Sequence, residues 1–429
     1  MFLKERFRAL FTPALLLALA MANGLALAID LDEHPKVKAV ADRLVTSGHY
    51  QQSELDVIFA QARVKQSVLD AMMSPAEYKF TWGKYRKLFL KPDRIQQGVD
   101  FWKANKAQLE RAEKEYGVPA EIIVAIIGVE SKYGKFKGKY KVLDSLVSLV
   151  TGFPRRSKFF ASELEEFLIL SKENQLDATK ILGSYAGAVG YPQFISSSYR
   201  NYAVDFNKDG STDLIGQVDD AIGSIANYFI ENGWQPGEPV TSVSTDQVTT
   251  QISDLASRKR KVQHTAEFLR SKGATLADDI AGKEKLGVLM LNANPIVPNK
   301  KIPDTVIVRA GDTACGIARK HKVSCKEVFK LNKLNSKGDI FRDQRLKLPV
   351  TDQSQTAVKS TDKTGWKVNQ SASADKAKAE DDPQPIYFYT HRNFYAITQY
   401  NHSVLYAMAV YDLSEAIAES HAQSLSKAN

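Results

Sequence analysis

Residues 117–134 read GVPAEIIVAIIGVESKYG, and this stretch limits the fold more than any other. Ile122, Ile123, Val124, Ala125, Ile126 and Ile127 follow one another without a polar residue. A helix built from them is apolar on every face and must be buried all round. Gly117, Val118 and Pro119 supply its start, with Pro119 expected in the first turn, where a missing N–H loses no helical bond. At the other end come Glu130, Ser131, Lys132, Tyr133 and Gly134. A carboxyl carried out of an apolar helix into such a turn is partly desolvated. Desolvation disfavours the anion and raises the pKa, which suits a general acid working near neutral pH. The plainer alternative is a solvated glutamate beside Lys132.

The chain has 429 residues, room for two or three domains, and its 44% hydrophobic and 25% charged content is that of a globular protein. Its formal charge is +9, of which residues 1–28 (Lys4, Glu5, Arg6, Arg8) carry +2, leaving +7 for a processed chain. A basic chain favours anionic partners: nucleic acid, anionic lipid or acidic wall polymer. The N-terminus narrows that choice. MFLKERFR is a basic leader, followed by the apolar ALFTPALLLALAMANGLALA ending in Ala26-Leu27-Ala28, the pattern of a cleaved signal peptide over 1–28. An uncleaved N-terminal membrane anchor is the alternative, since the apolar run approaches spanning length. Pro13, Asn23 and Gly24 favour cleavage. An exported chain argues against nucleic acid. The two cysteines, Cys315 and Cys325, are ten apart in one small unit; in an exported protein they are free to be a disulfide or two thiols.

From Ile29 to about Gly237 the pattern is mostly helical. QQSELDVIFAQARV (51–64) has Ser53 as an N-cap candidate. Trp82, Tyr85, Phe101 and Trp102 read as core aromatics rather than a sugar platform. SYAGAVGYPQF (184–194) is a run of small residues ending in a turn, where backbones or a ligand can approach closely. DFNKDGSTD (205–213) opens like an EF-hand loop: Asp205, Asn207 and Asp209 alternate, Gly210 turns the chain, and Ser211 and Asp213 follow. Gly216 stands where the bidentate glutamate of that loop belongs, and Asp219 or Asp220 is then the candidate to close the site. The alternative is an Asp/Asn/Gly turn without metal. After a mixed stretch holding the strand-like KLGVLMLN, residues 305–350 read strand, helix, helix, strand. A Ser-, Lys- and Asp-rich linker follows, then a second apolar segment, IYFYTHRNFYAITQYNHSVLYAMAVYDLSEAI (386–417).

VAIIGVESKYG, FPRRSKFFASELEEFL, SYAGAVGYPQFISSSYRNYAVDFNKDG, DAIGSIANYF and NFYAITQYNHSVLYAMAVYDL, in that order, resemble the membrane-bound lytic transglycosylase B family of peptidoglycan-cleaving enzymes. Separately, 305–350 resembles a LysM domain through VRAGDTACGIARKHKVSCKEVFKLNKL and RLKLP; such modules bind N-acetylglucosamine-containing glycan. The resemblance implies a mainly α fold: a lysozyme-like helical catalytic core with a small mixed subdomain, plus a small βααβ LysM module. The expected organisation is a signal peptide (1–28), a first catalytic part (29–299), LysM (304–350), a flexible linker (351–384) and a second catalytic part (385–422).

The same resemblance makes Glu130 the single catalytic carboxyl. It protonates the glycosidic oxygen between N-acetylmuramic acid and N-acetylglucosamine, then takes the proton from the muramoyl 6-hydroxyl as that group attacks its own C1, leaving a 1,6-anhydromuramoyl end. Ser184 and Gln193 would line the cleft. Tyr228, Tyr400 and Asn401 would hydrogen-bond the substrate and orient Glu130. Arg155 and Arg156 would meet the stem peptide or lactyl carboxylate. Asp205, Asn207, Asp209, Ser211 and Asp220 fall on the family's calcium positions, and the metal is expected to be structural, with no cofactor for the chemistry. No cysteine for lipid attachment stands near the signal sequence, so a soluble periplasmic form is expected, with peptidoglycan strands as the partner. The alternatives are a hydrolytic muramidase, which needs a second carboxylate or an ordered water, and a non-catalytic wall-binding scaffold.

Overall fold

The computed structural model describes residues 29–73, 81–243, 248–293, 305–308, 312–321, 323–335, 337–341, 344–349 and 384–426. The expected signal peptide and nearly all of the expected linker lie outside them. The described residues form two compact units. One comprises those within Met1–Ser74, Gly138–Val189 and Gln193–Arg200, the other those within Pro75–Lys137, Gly190–Pro192 and Asn201–Asn429.

The first unit is built on the helices Pro35–Thr46, Val142–Gly152 and Ser157–Glu173, which pack through Val37, Val40, Leu44, Leu146, Leu149, Phe160 and Phe167. A two-residue antiparallel pairing joins Tyr140–Lys141 to Leu182–Gly183. The helix Gln52–Phe59 begins one residue before the expected cap: Gln51, not Ser53, is its N-cap. Glu54 decides the start, because its carboxylate accepts the Gln51 N–H at 2.7 Å and so satisfies a backbone donor the helix cannot.

The second unit surrounds the expected apolar helix, Ala120–Ser131, in which every residue from Ala120 to Gly128 is buried. Pro119 is its N-cap rather than part of the first turn; its carbonyl accepts the Ile122 N–H at 3.0 Å. Pro92–Ala104, Lys106–Tyr116, Val218–Glu231 and the C-terminal helix Val404–Ser426 pack around it. Burying each isoleucine contributes roughly 1.5–3 kcal/mol, so this helix anchors the unit. Trp82, Tyr85 and Trp102 lie in the same core, as their sequence reading expected.

The mixed part of this unit is a four-stranded antiparallel sheet in the order Thr241–Val243, Gln384–Thr390, Lys285–Ala293, His264–Thr265. KLGVLMLN and the segment opening at 384 therefore pair directly, with Leu289 opposite Phe388 and Ala293 opposite Gln384. The 90 residues between those last two positions begin and end side by side at one end of the sheet. Within them, Thr305–Ile307 pairs antiparallel with Arg345–Lys347, and the helices Ala314–Lys320 and Cys325–Asn332 lie between in sequence. That is the strand–helix–helix–strand order read from the sequence. Cys315 and Cys325 are joined as a disulfide, with Cα atoms 4.9 Å apart.

Candidate active site

The central helix ends in a chain reversal that fixes Glu130. Lys132, Tyr133 and Gly134 take φ values of 49°, 60° and 81°, three left-handed residues in a row. Two of them carry side chains, which costs about 1–2 kcal/mol each and persists only where the surroundings impose it. Here they do. The Tyr133 N–H donates to the Ile127 carbonyl (3.2 Å), Phe136 N–H to Ser131 carbonyl (2.8 Å), and Gly134 N–H to Ser131 Oγ (3.1 Å). Tyr133 folds back under the helix, its hydroxyl donating to the Arg94 carbonyl at 2.9 Å. Both nearby glycines are required by contact. A Cβ on Gly128 would meet the Tyr133 ring and hydroxyl at 2.6–2.8 Å, and one on Gly134 would meet the Tyr191 ring at 2.1 Å.

Glu130, half-buried at this helix end, accepts a hydrogen bond at Oε1 from the Tyr406 hydroxyl at 2.5 Å. Tyr406 lies in the first turn of Val404–Ser426 and is 2% exposed. Burial pushes its phenol well above the usual range, and the neighbouring Glu130 carboxylate pushes it further. Such a phenol stays protonated at any working pH and is a permanent donor to the carboxyl. Tyr400 is shifted the same way by burial and then by Glu130. Its ring is nearly parallel to that of Tyr406, with centroids 6.4 Å apart, and meets Tyr228 edge-on at 4.9 Å. The Tyr400 hydroxyl donates to the Pro192 carbonyl (2.6 Å), and Tyr228 donates to the Gln399 carbonyl (2.8 Å). Burial also raises the Tyr228 phenol. A row of three phenols, Tyr228, Tyr400 and Tyr406, thus leads to the carboxylate. Asn401, half-buried, ends the helix Arg392–Tyr400.

The sequence reading singled out Tyr228 and Tyr400 and missed Tyr406. A signal existed: VLYAMAV is otherwise apolar, and a hydroxyl placed in such a run needs a buried partner.

The remaining residues belong to the first unit. The Ser184 hydroxyl oxygen accepts the N–H groups of Ala186 (3.2 Å) and Ala188 (3.0 Å), closing the small-residue turn. Gln193, half-buried, adopts φ 50°, just before the Val189–Phe194 bridge closes the GYPQ turn. A non-glycine residue there is a strained position of the kind that aims a side chain. Arg155 and Arg156 are exposed on the short helical turn Pro154–Arg156, and the Arg156 guanidinium lies 4.1 Å above the Phe159 ring.

The acidic loop, in the second unit, folds as its spacing implies. Lys208 (φ 64°) and Gly210 (φ 91°) make the turn, and Asp205 accepts the N–H groups of Asp209 and Gly210 at 3.1 and 2.9 Å. Gln217 donates to Asp209 at 2.6 Å; that bond, with the Ser211 amide and hydroxyl, holds Asp209 down at about 2. Asp220, fully buried, uses both oxygens on backbone N–H groups: Phe206 at 2.8 Å and Asn207 at 3.3 Å on one, Asp213 at 2.8 Å on the other. It clamps the two ends of the loop together, while Asp219 accepts from Gln108 at 3.3 Å. Asp205, Asn207, Asp209 and Ser211 bring oxygen donors to one small loop, which fits a hard cation such as calcium. Gln217, which reaches into the same group, was not foreseen.

The family model for the transglycosylase SLT domain matches residues 32–305 and 324–415. Membrane-bound lytic murein transglycosylase B of Escherichia coli (strain K12) is 36% identical over 279 residues, covering 63% of this chain and 76% of that protein. Among solved structures, the catenated lytic transglycosylase SltB1 from Pseudomonas aeruginosa superposes with a TM-score of 0.67 at 33% identity, covering 91% of this chain and all of that one. The Escherichia coli lytic transglycosylase Slt35 in complex with calcium gives 0.66 at 29% identity, covering 93% and 98%. With a family match over most of its length, the chain belongs to the transglycosylase SLT family, among the lytic murein transglycosylases.

Proposed function

We propose that Glu130 is the single catalytic carboxyl of this lytic transglycosylase and acts as general acid and then general base. The supporting observation is the Tyr406–Glu130 hydrogen bond at the end of a helix buried from Ala120 to Gly128, which fixes the carboxyl in orientation before substrate arrives. Protonated Glu130 gives its proton to the oxygen between N-acetylmuramic acid and N-acetylglucosamine as that bond breaks. The resulting carboxylate, held at Oε1 by Tyr406, takes the proton of the muramoyl 6-hydroxyl as its oxygen bonds to C1. The nucleophile is carried by the sugar itself, so neither a second carboxylate nor a water is needed, unlike ordinary glycosidases. Tyr228, Tyr400 and Asn401 shape the surroundings of Glu130, and Ser184, Gln193, Arg155 and Arg156 are the further residues the family resemblance assigns to the glycan and its anionic groups.

In this proposal Asp205, Asn207, Asp209 and Ser211 hold calcium, which closes the 205–220 loop and takes no part in the chemistry. Asp220, expected as a fifth ligand, already has both oxygens on backbone N–H groups and is assigned instead to positioning the loop from within. The 305–350 segment is a LysM module that holds the enzyme on glycan. After loss of residues 1–28 the chain is soluble in the periplasm; no helix among the described residues is long and apolar enough to cross a membrane.

Glu130→Gln tests the assignment. It keeps the shape and the Tyr406 partner but cannot give up and retake a proton. The expected result is loss of glycan cleavage with unchanged cosedimentation with insoluble peptidoglycan. Residual cleavage within about tenfold of the parent would remove Glu130 from the role.

A further inference from the structure

Residues 257–263 join the short helix Thr250–Ser253 and its following turn to the strand His264–Thr265, and carry Arg258, Lys259, Arg260 and Lys261 in succession, all exposed. Both ends of this loop are tied to one strand. The Ser257 N–H donates to the Val288 carbonyl at 2.8 Å and the Gln263 N–H to the Leu286 carbonyl at 3.0 Å. The four cations therefore sit on a short excursion whose base cannot spread. Together with Gln399 and His402, also exposed, they line an open depression of about 450 Å³, and no carboxylate stands among its described lining residues. The Gln399 and His402 side is fixed as well: the Gln399 carbonyl receives the Tyr228 hydroxyl, and His402 Nδ1 is 3.0 Å from the Thr398 carbonyl. Tyr400 and Asn401 stand between those two lining residues in sequence, and Tyr400 leads through Tyr406 to Glu130.

Four like charges held on one short loop repel each other unless an anion joins them. We propose that this cavity binds carboxylates of the peptide stems attached to the glycan, as an anion subsite formed by residues other than Arg155 and Arg156. The proposal rests on the peptidoglycan-cleaving reading of the site. The volume of the depression is large enough to receive a small ligand, for which sites are of order 300–1,000 Å³. Guanidinium forks pair with carboxylates in two-point geometry, the ammonium groups add charge without strict direction, and the Gln399 amide adds a neutral donor. A lipid surface offers anions too, but the polar residues beside the cations, Gln399 and His402, flank Tyr400 and Asn401 of the proposed site. A peptide stem also arrives on the substrate itself, next to the tyrosines that lead to the cleaved bond.

The test uses the mature chain and a quadruple variant, R258Q/K259Q/R260Q/K261Q, whose sites are all exposed. Calorimetric titration with a soluble tetrapeptide stem should show binding to the parent and a loss of roughly tenfold or more in the variant. On peptide-bearing glycan strands the variant should lose roughly tenfold in kcat/KM, mostly through KM. On strands stripped of peptide by an amidase it should match the parent. Equal tetrapeptide affinity in both proteins overturns the proposal. So does an equal loss on both kinds of strand, or a loss confined to binding of phosphatidylglycerol vesicles. A parent chain that binds the tetrapeptide but cleaves neither strand would overturn the glycan-cleaving reading and leave the anion subsite standing.

Discussion

The proposed chemistry turns on one contact, between the Tyr406 hydroxyl and Glu130 Oε1. The contact places a permanent donor on a carboxyl that, in the proposed mechanism, holds one orientation through two proton transfers. A hydrogen bond to a charged group contributes about 1.5–3 kcal/mol, so Tyr406→Phe should lower kcat by roughly 10- to 100-fold. The melting temperature should stay near that of the parent, because the ring and its packing remain. A kcat within twofold of the parent would show that Tyr406 does not orient the carboxyl. Gly128 is a second residue with a defined cost. Its missing Cβ leaves room for the Tyr133 ring, so Gly128→Ala should destabilise the fold by roughly 1–3 kcal/mol in thermal or denaturant unfolding. The place of Glu130 at the end of a buried helix was legible in the sequence, because a carboxyl closing an apolar run is conspicuous. Tyr406 was not, because which of many tyrosines reaches that carboxyl depends on a contact 276 residues away in sequence.

Among the elements, the 205–220 loop shows how far spacing carries. The alternation of Asp205, Asn207, Asp209 and Ser211 gave the turn and its oxygen donors. It left Asp219 and Asp220 undecided, and their difference is one of burial. Asp220 is enclosed and spends its oxygens on three backbone amides, so it acts as a clamp on the loop. Two distinct effects are expected. Calcium at a hundredfold excess over its dissociation constant should stabilise the chain by about 2.7 kcal/mol, seen as a melting temperature that falls on chelation. Asp205→Ala should abolish that dependence while leaving the calcium-free melting temperature within a few degrees. Asp220→Ala should lower the melting temperature even without calcium, since it leaves three backbone N–H groups without their acceptor. A chelator-insensitive melting temperature in the parent would contradict the metal assignment. The Gln52–Phe59 helix makes the same point on a smaller scale: Ser53 matches the preferred cap type, but Glu54 reaching back to the Gln51 N–H sets the boundary.

At the scale of the whole molecule, the informative feature is the register of Lys285–Ala293 against Gln384–Thr390. Ala293 faces Gln384, so everything between them leaves and re-enters the fold at one place. The two halves of this pairing stand 90 residues apart in the chain; KLGVLMLN reads as a strand and the later segment only as apolar, and it is the family resemblance that makes them neighbours. The distribution of the chain between two units, crossing at several points, was not legible, because it depends on contacts that no local pattern encodes. Replacing residues 294–383 by a short turn should therefore preserve the fold and cleavage of soluble glycan oligomers. Binding to insoluble peptidoglycan should drop. Some stability should go with it, since Asp279 and Glu284 lose the nearby Arg319 guanidinium. Loss of folding would show the segment to be part of the core.

The most direct measurement is mass spectrometry of the soluble products released when the mature chain acts on peptidoglycan. A single carboxyl working with an intramolecular nucleophile predicts muropeptides with 1,6-anhydro ends, lighter by one water than hydrolysed ones, and none of them from Glu130→Gln. Products with reducing ends would contradict the account, since water could then be the nucleophile only with a base the site has not been assigned.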